Sequence, residues 1–236
     1  MFNIKRFVSQ IYVSTAPLAL LEARHHFKTR HAVQEWLADE YVFIHIPKSG
    51  GTSLALAHDR HESGHYCYQK ILSMRNGRVG SGAYFIMRDP VERIISSYKY
   101  LNILNDKFGS SPVPAANKSK NIDDFLEKYI FKIDVNDHYF FRSASCFIRG
   151  APRCSTWMIN FENLSNNLKI FFSEVVGEQM VLPHVNSSAQ RSDDVKIKEE
   201  NIDILKEIYK DDMILCSTLS GKPFARVDDA DLADGA

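Results

Sequence analysis

The chain has 236 residues, 44% of them hydrophobic, which suits one sizeable domain with a real core and is too short for two of average size. Lysine plus arginine balances aspartate plus glutamate at 29 each, so overall charge recruits neither nucleic acid nor a membrane surface, and any anion binding has to come from local placement. Four cysteines, Cys67, Cys146, Cys154 and Cys216, include no C-x-x-C pair; this argues against a zinc site and suits a reducing compartment, while the spacing leaves a Cys146–Cys154 bridge open.

Residues 1 to 40 carry mixed helical patterning, and "EARHHFKTRH" reads as a solvated basic face. The longest N-terminal apolar stretch, "APLALL", is far shorter than the roughly 20 residues a spanning helix needs, and it lies too deep behind polar residues to resemble a secretory signal. A soluble, cytoplasmic protein without a transmembrane segment is expected. "YVFIHI" (41 to 46) then reads as a buried strand, rich in β-branched and aromatic residues and ended by a proline, and "TSLALAHD" reads as a helix start.

Between strand and helix lies "PKSGGTS". A glycine-rich turn entering a helix exposes several backbone N–H groups, and a helix N-terminus adds about half a positive charge, so the loop is suited to a phosphate. Lys48 adds a mobile full charge, Ser49, Thr52 and Ser53 add hydroxyl donors, and Gly50 and Gly51 permit close backbone approach. The nucleotide loop G-x-x-x-x-G-K-[ST] places its lysine after the glycines; here the lysine comes first, which favours a phosphate ligand bound without an obligatory metal.

A second unit follows. "AYFIMR" (83 to 88) reads as a strand, and "DPVERIISSYKYLNIL" as a helix with Asp89 as N-cap, Pro90 at its first position and Glu92 closing a capping box. Its stripe Val91, Ile94, Ile95, Tyr98 and Leu101 is expected to pack on a sheet, with Arg93, Ser96 and Tyr100 on another face. Arg88, at a strand terminus on the same rim as Lys48, offers forked recognition of a second phosphate; its alternative is a salt bridge to Asp89 or Glu92.

Further along, "NDKFGSSPVPAANKSK" (105 to 120) marks a long exposed loop, "IDDFLEKYIFKI" a helix, "STWMINF" (155 to 161) a third strand and "NLSNNLKIFFSEVV" a helix. "EENIDILKEIYKDDMILCSTL" reads as one long amphipathic helix, and the small, acidic tail from residue 226 to 236 as disordered. Strands alternating with helices imply an α/β fold of three layers with a mainly parallel central sheet flanked by helices, its sites at the carboxyl ends of the strands.

"PKSGGTSL" followed by "RDPVERIISSY" resembles the paired 5′-phosphosulfate and 3′-phosphate motifs of sulfotransferases, in particular the carbohydrate and membrane-type branch related to heparan sulfate 2-O-sulfotransferase. The likeness continues through "INFENL", "LPHVNSS" and "IYKDDMILC", spanning about residues 41 to 216 of a single P-loop-type domain. It implies 3′-phosphoadenosine 5′-phosphosulfate as donor, no metal, a hydroxyl acceptor on a saccharide or similar molecule, Lys48, Ser49, Gly50, Gly51, Thr52 and Ser53 on the phosphosulfate, and Arg88 and Ser96 on the 3′-phosphate.

Transfer to a hydroxyl needs alignment, a base for the acceptor proton and charge stabilisation on the departing phosphate. Lys48 suits the last. Among His45, His58, His61, Glu62 and His65, the strand residue His45 reads as core, and His58 and His61 as a solvated helix end. His65, in "SGHYCYQKI", matches the "GH" that carries the base histidine in related sulfotransferases, and is the expected base with Glu62 in reserve. Asn186 and Ser188 read as turn residues, and Arg142, Arg149 and Arg153 as solvent-exposed. The rival readings are a magnesium-dependent P-loop kinase, and a non-catalytic module that binds adenosine diphosphate.

Overall fold

A computed structural model describes residues 33–108, 113–180 and 195–230. In chain order the elements are β1 (Tyr41–Phe43), α1 (Gly51–Ala57), α2 (Tyr68–Met74), β2 (Gly82–Met87), α3 (Pro90–Phe108), α4 (Pro114–Lys118), α5 (Ile122–Lys128), α6 (Ala144–Ile148), β3 (Thr156–Asn160), α7 (Leu164–Phe171), α8 (Glu199–Ile208), α9 (Lys210–Thr218) and β4 (Phe224–Arg226). The strands form one sheet in the order β1-β2-β3-β4, the first three parallel and β4 antiparallel to β3. This is an α/β architecture with a mostly parallel sheet.

All six residues of β2 are buried, as expected of a strand covered on both faces. The period-two alternation divides them: Ala83, Phe85 and Met87 join Val42, Ile44 and Ile46 on one face, against Tyr68 and Ile71 of α2, Phe147 of α6 and Leu215 of α9. Tyr84 and Ile86 join Phe43 and Ile159 on the other, against Trp36, Leu54 of α1 and Leu168 and Phe171 of α7. Trp36 thus belongs to the core, whereas Trp157 is half-buried between Phe171, Phe224 and Arg226.

Five expectations change. The stretch from 105 to 120 is not one exposed loop: α3 runs on to Phe108 and Pro114–Lys118 forms α4, with Val113 and Ala116 buried in the core of helices. The apolar stripe of α3 does not meet the sheet: Ile94 and Leu101 enter a separate core of helices with Phe125, Leu126, Phe141, Leu205 and Tyr209, because other helices already cover both sheet faces. The long C-terminal helix breaks at Tyr209 (φ −107°, ψ 30°), whose buried hydroxyl donates to the Phe141 carbonyl at 2.6 Å. The chain from Arg226 to Ala230, assigned by composition to a disordered tail, is folded: Phe224–Arg226 pairs with β3, Val227 and Ala230 are buried, and Arg153 donates to the Ala230 carbonyl at 2.8 Å. All four cysteines are free, so Cys146 and Cys154 are not bridged.

Two buried charges join the helical core to the sheet. Arg93 of α3 lies 3.7 Å from Asp212 of α9, and Asp212 accepts from the Ala144 and Ser145 backbone N–H groups at 2.8 and 3.0 Å. No helix among the described residues is long and apolar enough to cross a membrane.

His138 is buried among Tyr129, Tyr139 and Phe141, and its Nδ1 accepts from the Phe140 N–H at 3.2 Å. Burial above all, with the Arg142 charge behind it, lowers its pKa to about 4. The unfolded chain therefore takes up this proton first as pH falls below the ordinary histidine value, and stability is lost between about pH 6.5 and 4. The expected loss is about 3 kcal/mol in all, about 2 of it by pH 5. Urea unfolding of wild type and His138→Gln at pH 7 and pH 5 checks this: the drop should shrink in the variant, and an equal drop in both would refute it.

Candidate functional site

β1 and β2 are adjacent and parallel, so the turns that leave them open onto one margin of the sheet. After β1 the chain stays extended through Ile46, and Ile44 N–H still donates to the Tyr84 carbonyl at 2.8 Å. It then turns through Lys48 at φ 63° and Gly50 at φ 86° into α1. A left-handed lysine is costly and marks a backbone constrained by its surroundings.

The two glycines are required for different reasons. Gly50 has the left-handed φ, and a Cβ there would lie 2.6 Å from Leu164 Cδ2. At Gly51 a Cβ would lie 2.0 Å from His45 Nε2, so this glycine makes room for the histidine ring. His45 is itself buried and stacked on Phe43, in agreement with its reading as core. α1 has seven residues, about two turns, so charge attraction at this margin rests on Lys48 and Arg88 more than on a helix terminus.

Arg88 leaves the end of β2 and donates through Nη1 to the Lys48 carbonyl at 3.2 Å, with its guanidinium 4.5 Å from the centre of the Phe161 ring. Its Nη2 stands 3.5 Å from Glu92 Oε2, so the salt-bridge alternative, to Glu92, is present. Asp89 does cap α3, accepting from Glu92 N–H at 3.0 Å, while the Glu92 side chain turns to Arg88 and leaves the capping box half made. Lys48 Nζ lies 4.1 Å above the ring of Tyr100. Burial, then the nearby charge of Arg88, lowers the Lys48 pKa, with Glu62 opposing; burial likewise lowers that of Arg88.

Glu92, Ser96 and Tyr100 recur at four-residue spacing on α3 and so share one face, with Arg88 at one end of the row and Lys48 at the other. This brings the half-buried Ser96 to the same margin. Ser49 is 2% exposed and its Oγ has no hydrogen-bond partner among the described residues, as is also true of Arg88 Nε. Thr52 is exposed and donates to the Glu62 carboxylate, and Ser53 is half-buried beside it.

His65 approaches the loop through His45: their ring centroids are 4.3 Å apart, and His65 Nδ1 contacts the His45 carbonyl at 3.2 Å. A carbonyl only accepts, so Nδ1 carries the hydrogen and Nε2 is the proton-accepting nitrogen of the neutral ring. His58 departs from expectation: it is half-buried against Trp36 and Phe172, and burial lowers its pKa. His61 is exposed, 3.5 Å from Glu35.

The arginines differ as well. Arg142 is tied to the Asn136 carbonyl at 2.7 Å and to Cys67 Sγ at 3.2 Å, and Arg153 to Ala230, while Arg149 is exposed. Asn186, Ser188 and "EARHHFKTRH" lie outside the described residues. Sequence reasoning assigned no role to Tyr100 and read Glu92 only as a cap; the spacing of each from Ser96, one helical turn on either side, is the signal that pointed to them. Among the described residues no group of three or more histidine, cysteine or acidic side chains could hold a metal ion. No family model matches the chain, and searches of curated proteins and of solved structures found no match either.

Proposed function

We propose that the chain is a sulfotransferase that moves a sulfuryl group from 3′-phosphoadenosine 5′-phosphosulfate to a hydroxyl of a saccharide or similar acceptor. The observation that carries the reading is the contact between two turns that each carry a cation after a strand, Arg88 Nη1 on the Lys48 backbone carbonyl at 3.2 Å, next to Ser49, whose buried hydroxyl has no partner among the described residues. Two anionic ends of one small molecule are what such a pair recognises.

The donor supplies an activated sulfuryl group whose departure leaves negative charge on a phosphate. Lys48, Ser49, Gly50, Gly51, Thr52 and Ser53 hold that end, with Lys48 stabilising the charge that develops. Arg88 and Ser96 hold the 3′-phosphate. His65 takes the acceptor proton at Nε2 while its Nδ1–H on the His45 carbonyl fixes the ring. The P-loop-type identity of the fold belongs to this proposal.

Calorimetry with 3′,5′-diphosphoadenosine in metal-free buffer, followed by transfer of labelled sulfate to a saccharide panel, tests the reading. Metal-free binding and transfer are expected. Binding of ATP only with magnesium replaces sulfotransfer with the kinase; binding without turnover on any acceptor replaces it with the binding module.

A further inference from the structure

We infer that Glu62 and Glu92 are internal counterions of the cradle, each standing in for one anionic end of the ligand and each setting the affinity for that end alone. The inference rests on the donor reading above and adds the residues that decide which phosphate is felt. Lys48 and Arg88 repel each other in a partly buried setting, and carboxylates oppose this at each: Glu62 accepts from Thr52 and opposes the lowering of the Lys48 pKa, and Glu92, 3.5 Å from Arg88, does so there with Asp89 behind it.

The cradle therefore sets Lys48 and Arg88 against the carboxylates of Glu62, Glu92 and Asp89. Arg88 has 17% of its side chain exposed and Glu92 59%, and Glu62 is exposed too, so the carboxylates can turn into water while the cations stay in place. An arriving phosphate replaces a carboxylate on the same donors rather than neutralising bare charge. Exchange of this kind lowers affinity by the strength of the contact it breaks, up to about fivefold for a solvent-exposed pair. Glu62 lies on the loop after α1 and contacts Thr52 at the start of that helix, whereas Glu92 lies in the first turn of α3 beside Arg88, so the two act on different ends.

The test titrates full-length wild type, Glu62→Gln, Glu92→Gln and the double variant with 3′,5′-diphosphoadenosine, adenosine 5′-phosphate, adenosine 3′-phosphate and inorganic phosphate in metal-free buffer. Glu62→Gln should tighten the two ligands carrying a 5′-phosphate by about three- to fivefold, and Glu92→Gln the two carrying a 3′-phosphate. The double variant should show both gains on the bisphosphate, and Glu199→Gln, on an exposed residue of α8, none. If wild type binds the bisphosphate and neither variant tightens it, or both tighten every probe alike, the inference fails and the donor reading survives. If no protein binds a nucleotide but Glu62→Gln gains affinity for inorganic phosphate, the donor reading fails and the counterion stands. No gain for any probe overturns the inference.

Discussion

Lys48→Ala should lower kcat/KM for the proposed sulfuryl transfer by about 10²- to 10³-fold, the range found when one preorganised charge-stabilising donor is removed from an active site. The ammonium is partly buried, held above the Tyr100 ring, and lies near a second cation. In that setting it interacts far more strongly with charge that develops on a departing phosphate than it would in water. Most of the loss should appear in kcat, with a smaller loss in binding of 3′,5′-diphosphoadenosine. Lys48→Arg should rescue poorly, since a larger guanidinium with delocalised charge does not put a compact point charge at the same place. The fold should survive: alanine keeps the Cβ at this left-handed position, and removing a desolvated cation beside Arg88 relieves repulsion. Steady-state kinetics with a melting curve decide the matter; activity within threefold of wild type would remove Lys48 from the chemistry.

Asp212→Ala should destabilise the protein by about 3–5 kcal/mol, because Arg93 would be left buried and uncompensated. Asp212 is fully buried and holds three groups: Arg93 and the first two N–H groups of α6. Against a typical total of about 5–15 kcal/mol, such a loss leaves little margin. An apolar replacement of the whole pair behaves differently, since it removes the desolvation cost together with the attraction. The double variant Arg93→Met, Asp212→Leu should therefore be more stable than Asp212→Ala alone in urea unfolding. Equal stability of the two would mean that the charge on Arg93 is not the source of the loss.

The parts of the fold that could be read from sequence are those with strong local periodicity. "GAYFIM" is apolar on both faces, and it became the central buried strand; Asp89 and Pro90 started α3 where capping chemistry places a helix start. β4 was missed because three residues, "FAR", carry no period of their own and become a strand only by pairing with Trp157 to Ile159. The break at Tyr209 was invisible for a similar reason: the apolar stripe runs on, and the interruption comes from a hydroxyl that reaches Phe141 on another element.

At the site, Lys48 and Arg88 were each legible as the cation following a strand. Their contact depended on β1 and β2 being neighbours, which no local pattern encodes. Gly51 was read as permitting close approach of a ligand; room for the His45 ring is a second demand on it, one that only the packed structure contains. Glu62 was read only as a reserve base and Tyr100 was given no role, because the chain brings both to Lys48 from outside its own turn.

Lys48 extends from the sheet, whereas Tyr100 lies on α3, whose apolar stripe belongs to the separate core of helices. A molecule seated on this margin would bridge the sheet and the core of helices and resist local opening of either. Ligand-induced slowing of amide hydrogen exchange would then extend from the β1 turn into α3 and on to α5, well beyond the atoms touched.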